Sequence, residues 1–518
     1  MRIIGICASI LLAAIPQEFA LAQSTAASVS IDTTKSTSLN PGFAGLNAAQ
    51  ARYSVEDYDV NFQKLAATLS PGWLRYPGGT TSEAFNWATG EYVEAWVSNP
   101  GFVQDTLLQQ WLEITSGKGG ESIDNFALLA KACNAKIVVC VNGYTDTPAS
   151  AGAFAAYAKA HNIPVAVWEL SNEPYLSKYS SFWPSGAAAY ANQMKPYRDA
   201  IKAADPSAMV SIFFYAFDAS GVATNGWDTA LAKYPNPYWD AVSVHHYPGG
   251  GNPSTFADVI PYANNDLATN STSAIDALAA MNPAGMKYVI SEYGVFNSVD
   301  SANGATTVAG SVYGGIEAAE YLLRMSSRPE VLFAGMHELY ATDGIMPTKW
   351  HDTDTEAAYQ AGTTIDTSQF HDFGWYFSAQ ILGPSVVNGA LAHATEVVST
   401  TLTGGTTVPS QGTPAAIPAM YAQAYQGAQN TYLLITNKDS QNETLMIAVN
   451  GAAPKGSLAM TFLSSTDPTA TNTAKSPNAV IVQTQTVTNP VTIPPYSVVR
   501  LDLGGAFAPS KRPLHRRR

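Results

Sequence analysis

From residue 43 onward the chain alternates between two hydrophobic rhythms. Short runs rich in Val, Ile, Trp and Tyr occur eight times, at residues 43–47, 73–76, 136–142, 165–170, 209–215, 241–246, 288–291 and 331–337. Several are apolar at nearly every position, the pattern of strands buried on both faces. Amphipathic stretches with helix start and stop residues lie between them. Ser122 precedes one that ends at Asn134. Thr147-Pro148 opens a second that closes near Asn162-Ile163-Pro164. Residues 185–204 are Ala-rich and stop at Asp205-Pro206, residues 310–325 precede the last strand, and residues 370–382 follow it. Strands alternating with helices in this way predict an α/β fold, a (β/α)8 barrel of the TIM type, over residues 41–384.

After residue 385 the rhythm changes. Thr, Val, Ser, Asn and Gly rise, and alternating runs stand at 432–435, 445–449, 458–462, 480–484 and 497–503 with turn residues between them. This predicts a C-terminal antiparallel β-sandwich over residues 385–505. Residues 27–32, within an N-terminal segment spanning 23–40, read as a further strand that pairs with the sandwich. No Gly/Ser/Pro-rich linker separates the two domains, so they are expected to pack together. The first 22 residues carry Arg2, an apolar run at 3–15 and the small-x-small site Ala20-Leu21-Ala22, the pattern of an export signal, which predicts a secreted or periplasmic protein. No later segment has 18 consecutive apolar residues, so no membrane partner is expected. Residues 506–518 have no core pattern and are read as a disordered basic tail.

Composition narrows the function. Charged residues are 13% of the chain, against about 25% in average proteins, and apolar residues are 46%, too many for a disordered chain. The net charge of -13 is held despite five Lys/Arg among the last eight residues, and it argues against a nucleic-acid partner. Cys133 closes a helix and Cys140 lies along the next strand, which predicts two buried free thiols. No CxxC or HExxH spacing occurs, so neither a metal nor another cofactor is expected.

In such a barrel the chemistry sits on loops at the C-terminal ends of the strands. Strand four runs into Ser171-Asn172-Glu173-Pro174, and strand seven runs into Glu292-Tyr293-Gly294. Two carboxylates thus stand at two strand mouths that face a common opening. A retaining glycosidase needs two carboxyl groups about 5–5.5 Å apart, one as nucleophile and one as general acid/base.

These residues carry a family resemblance. Trp168-Glu169-Leu170-Ser171-Asn172-Glu173-Pro174 resembles the Asn-Glu-Pro acid/base motif of clan A glycoside hydrolases, most closely in family 79, the heparanases and β-glucuronidases. Ser291-Glu292-Tyr293-Gly294 resembles the nucleophile motif of the clan, and His245-His246-Tyr247 its His-x-Tyr. Leu74-Arg75-Tyr76-Pro77-Gly78-Gly79 is similar to the second strand of the clan and to the same stretch of family 51 arabinofuranosidases. Ile493-Pro494-Pro495-Tyr496-Ser497 is similar to the last strand of the accessory sandwich. The resemblance implies Glu173 as acid/base and Glu292 as nucleophile. It implies Asn172 on the sugar 2-hydroxyl, Arg75 and Tyr247 beside Glu292, and His246 in the substrate-binding set. Tyr340, at the end of strand eight, would lie near a uronate carboxylate.

The expected protein is therefore a monomeric retaining β-glycosidase acting on a β-linked glucuronide of an oligo- or polysaccharide. Residues 45–50 carry no acid after strand one, and no tyrosine closely follows Gly294, both departures from bacterial relatives of family 79. Two alternatives stay open: a clan A enzyme acting on a neutral sugar (arabinofuranosidase, xylosidase or glucosidase), and a non-catalytic carbohydrate-binding barrel. Two long loops, 88–121 and 341–369, bear or adjoin Trp87, Trp96, Trp111, Tyr340 and Trp350, candidates for stacking on a sugar ring.

Overall fold

The computed structural model describes residues 26–48, 59–92, 122–216, 226–247, 256–295, 308–340, 344–347, 374–412 and 414–505. Eight parallel strands close into a barrel. Numbered one to eight in chain order, they are Ala44–Asn47, Trp73–Tyr76, Lys136–Val141, Val165–Leu170, Met209–Phe213, Ala241–His246, Lys287–Tyr293 and Val331–His337. All eight expected strands are present, with ends within two residues of those read from the pattern. The export signal, the basic tail, most of both long loops, and Trp96, Trp111 and Trp350 lie outside the described residues.

The barrel interior changes character within one pleat. Trp73, Val138, Val167, Ala241, Val289 and Phe333 form an apolar floor, with the Trp73 ring stacked on Phe333 at 4.5 Å. Two residues further along each strand, on the same inward face, stand Arg75, Cys140, Glu169, Ser243, Ser291 and Gly335. The outward positions, such as Leu74, Val139, Trp168 and Ile212, join the main core beneath the helices. Polar chemistry is thus stacked on a dry base, and its side chains face the C-terminal mouth.

Local signals set the helices as read. Ser122 Oγ accepts from the Asn125 N–H and caps Ile123–Cys133, which ends at left-handed Asn134. Thr147 caps Pro148–Ala160, with the proline in the first turn, where its missing N–H costs nothing. The last barrel helix differs from expectation. It spans Ala379–Leu391, not 370–382, because Ser378 Oγ accepts from the Ile381 N–H and starts it there. The boundary drawn between 384 and 385 therefore falls inside a helix. Cys133 and Cys140 are buried free thiols, each pushed up to about 12 by burial. Among the described residues, no helix is long and apolar enough to cross a membrane.

The second unit is a nine-stranded sheet curled around one apolar core. Ala27–Ser38 lies inside it, antiparallel to Ala394–Thr403 and parallel to Glu443–Val449. The other neighbouring strands pair antiparallel. The strand expected at 480–484 begins at Gln483, while Ala394–Thr403 and Met420–Gly427 had no counterpart in the sequence pattern.

Helix Val312–Ser326 is buried along nearly its whole length between barrel and sheet. Its Glu320 receives the Lys438 ammonium from the sheet, the Arg324 guanidinium at 2.7 Å and the Thr436 hydroxyl at 2.9 Å. Burial opposes ionisation of Glu320, but Lys438 and Arg324 outweigh it and hold the carboxyl down at about 2. Removing one partner of a buried pair strands the other charge and costs about 3–5 kcal/mol. Lys438→Met is therefore expected to lower stability by about 3 kcal/mol or more, read as a fall in the thermal midpoint. A midpoint unchanged from the parent would show that this pair does not tie the sheet to the barrel.

Candidate active site

The site grows from Arg75, an inward position of strand two that is 1% exposed. Its Nε donates to Glu169 Oε1 at 2.7 Å, and Nη2 reaches the same oxygen. Nη1 donates to Glu292 Oε1 at 2.6 Å, and Nη2 to Asn172 Oδ1 at 3.0 Å. Burial would weaken the hold of the guanidinium on its proton, but Glu169, Cys140 and Glu292 more than reverse that, so it stays charged.

Glu292 is aimed by an irregular backbone. On strand seven, Val289 faces inward, so strict alternation would turn Glu292 outward. A bulge between Ile290 and Glu292 inserts one residue against strand six and sets Glu292 opposite His245. Bulges commonly re-aim a side chain beside active sites. Glu292 then accepts from Arg75, from Asn47 Nδ2 at 3.0 Å and from the Tyr247 hydroxyl. Burial raises its carboxyl, but His245, Arg75 and His337 together with the Tyr247 bond bring it down to about 2.

His245 stands between the two carboxylates. Its Nδ1 lies 3.1 Å from Glu173 Oε1 and 3.4 Å from Glu292 Oε2, and its Nε2 lies 3.1 Å from Ser291 Oγ. Those two carboxylate oxygens are consequently no more than 6.5 Å apart, a limit reached only if the three atoms were collinear. Glu173 also accepts from the Tyr175 hydroxyl at 2.9 Å. The arrangement presents one carboxylate held ionised and a second within hydrogen-bonding reach of donors, facing each other across an imidazole.

The structure brings together Glu173, Glu292, Asn172, Arg75 and Tyr247, and it gives His246 and Tyr340 other contacts. His246 is directed away from the carboxylates: Nδ1 lies 3.1 Å from the Tyr321 hydroxyl and Nε2 3.5 Å from Asp266. The cause is the pleat, since Ala241, Ser243 and His245 share the inward face and His246 takes the other. Tyr340 is buried with its ring edge-on to Phe62 and Trp375, contacts of a packing residue. Trp87 stacks on Phe154 at 4.7 Å and bonds Ser150, so it anchors its loop. Sequence reasoning missed Asn47, Glu169 and Glu83 as members of the site. Counting by twos from Ala241 and Val167 picks out His245 and Glu169. Asn47 is the last residue of strand one, where a side chain faces the mouth.

No protein-family model matches the chain, and no curated protein sequence does. Solved structures share its fold at low identity. An α-L-arabinofuranosidase from Thermotoga maritima, in complex with arabinose, superposes with a TM-score of 0.67 at 16% identity, covering 92% of this chain and all of that one. A family 51 α-L-arabinofuranosidase from Bifidobacterium longum gives 0.68 at 17% identity, covering 93% and 99%. A glucosidase from Croceicoccus marinus gives 0.55 at 11%, covering 92% and 98%. The barrel with its appended sheet is the architecture of these structures.

Glu292 titrates below the unfolded value of about 4.3 for glutamate. A depressed carboxyl adds stability that is present above the unfolded value and is lost as pH falls through the folded one. Thermal midpoints measured from pH 5 to pH 2 should therefore drop more steeply for the parent protein than for Glu292→Gln. Parallel curves would mean that Glu292 is not held below its ordinary value.

Proposed function

We propose that the chain is a retaining glycoside hydrolase of clan A that removes a neutral sugar, best an α-L-arabinofuranosyl residue. The observation that carries the reading is the carboxylate pair bridged by His245. One oxygen of each group lies within 6.5 Å of the other, which supports the short separation of retaining enzymes, about 5–5.5 Å. Glu292, held ionised, attacks the anomeric carbon, and Glu173 gives its proton to the departing oxygen. Once Glu292 is esterified its charge is gone, and Glu173 takes a proton from the incoming water. Asn172 holds the sugar 2-hydroxyl, a contact that strengthens in the transition state.

The preference for a neutral sugar rests on charge. Among the described residues Arg75 is the one arginine or lysine that bonds either Glu173 or Glu292, which it does at Glu292, and Glu169, Glu292 and Asn172 take its donors. A uronate would bring another negative charge to that cluster. The architecture shared with arabinofuranosidases supports the same choice. The apolar run and small-x-small site in residues 1–22 support an exported enzyme.

A panel of aryl α-L-arabinofuranoside, β-xyloside, β-glucoside and β-glucuronide tests the substrate. Arabinofuranoside turnover with none on the glucuronide is expected, and the reverse result would restore the uronate reading. A 2-fluoro glycoside of the preferred sugar should label the peptide containing Ser291-Glu292-Tyr293, seen by mass spectrometry. Glu173→Gln should lose far more activity on substrates with poor leaving groups than on activated aryl glycosides, with partial rescue by azide. Label on another carboxylate, or product of inverted configuration, would overturn the mechanism.

A further inference from the structure

Besides Glu173, Glu292 and Glu169, a fourth carboxyl group lies at this site, and neither catalytic step uses it. Glu83 stands on the short 3-10 turn Thr80–Ala84 that follows strand two, and it is 1% exposed. The Tyr179 hydroxyl lies 2.6 Å from both of its oxygens, and Asn172 Nδ2 lies 3.4 Å from Oε1. The Glu83 carbonyl accepts from Thr145 Oγ1 at 2.8 Å, which ties the turn to the exit of strand three. The backbone carbonyl of Asn172 accepts from the Tyr144 hydroxyl at 2.5 Å.

We infer that Glu83 and Tyr179 are positioning residues that orient the Asn172 amide toward the sugar 2-hydroxyl, an inference that rests on the glycosidase reading above. Arginine only donates, so Arg75 fixes Asn172 Oδ1 as the atom facing it. Asn172 Nδ2 must then face Glu83, which has to accept. An amide NH2 carries two hydrogens. Glu83 holds one, and the other is left to donate to the sugar. Burial pushes the Glu83 carboxyl well above its ordinary value, and the Tyr179 and Asn172 bonds and the Lys178 charge only partly oppose this. Oε1 of Glu83 is thus the acceptor that Asn172 Nδ2 faces, and the Tyr179 hydroxyl donates to the same carboxyl group and holds it in place.

Glutamine keeps the shape of glutamate and a carbonyl oxygen that can accept from Asn172 Nδ2. The test compares kcat/KM on an aryl glycoside of the preferred sugar with that on its 2-deoxy counterpart, spontaneous hydrolysis subtracted. Tyr179→Phe and Glu83→Leu should each lower the 2-hydroxy rate about tenfold, the worth of one hydrogen bond of about 1.4 kcal/mol, and leave the 2-deoxy rate within about twofold. Glu83→Gln should keep the parent ratio. Equal losses on both substrates would reveal a merely structural role, and an unchanged ratio in both disruptive variants would equally refute the inference. Tyr179→Phe deletes a single oxygen and carries the test if Glu83→Leu does not fold. A parent enzyme that cleaves no glycoside would instead defeat the glycosidase reading itself.

Discussion

The guanidinium of Arg75 is the fixed point of the site. It is sealed from water between two carboxylates and an amide oxygen, where an unpaired charge would be untenable. Two carboxylates against one cation leave one negative charge in excess. Glu169 lies deeper on strand four, and Glu292 sits at the mouth with Asn47 and Tyr247 also donating to it. The excess charge is thus presented at the mouth of the barrel. Strand two contributes the arginine, strand four its inner partner, and strand seven its outer one, so closure of the barrel and assembly of the site are one event.

Burial by itself does not decide which acid is charged. Glu83 and Glu292 are both enclosed, and burial pushes both carboxyls up. At Glu292 the charges of His245 and Arg75 overcome it and drive the group below its usual range, whereas at Glu83 the Tyr179 bond, Lys178 and the Asn172 bond are too weak to do so and burial prevails. The two environments lie only a few residues apart around Asn172, which touches both Arg75 and Glu83. Acids sorted in this way within one cavity can serve different ends at one pH.

The barrel was legible because strands buried on both faces must be apolar, and eight such runs stand out in a chain with few charges. Glu173 and Glu292 were legible because they follow those runs directly. His246 was misplaced for want of the pleat: Ala241 sets the inward face, and two steps of two reach His245. Glu292 obeys no such count, since a bulge at Ser291 reverses the alternation, and nothing in the local sequence announces an extra residue in the ladder. Glu83 was invisible for another reason. It lies on an irregular turn, and its meaning comes from Tyr179, 96 residues away. The final barrel helix starts at the Ser378 cap rather than at residue 370, and it runs on through the change in composition near residue 385.

The strand Ala27–Ser38 has a consequence for how the molecule comes into being. It lies in the middle of the sheet, and Ser28 meets Thr403 across 375 residues of chain. This strand must wait for partners that lie beyond the whole barrel segment. Loop closure over such a span is slow, and an unpaired strand is an invitation to foreign edges. The whole barrel segment lies between this strand and its two partners, so the pairing ties the two flanks of the barrel together, and the sheet closes only once everything between them has been made.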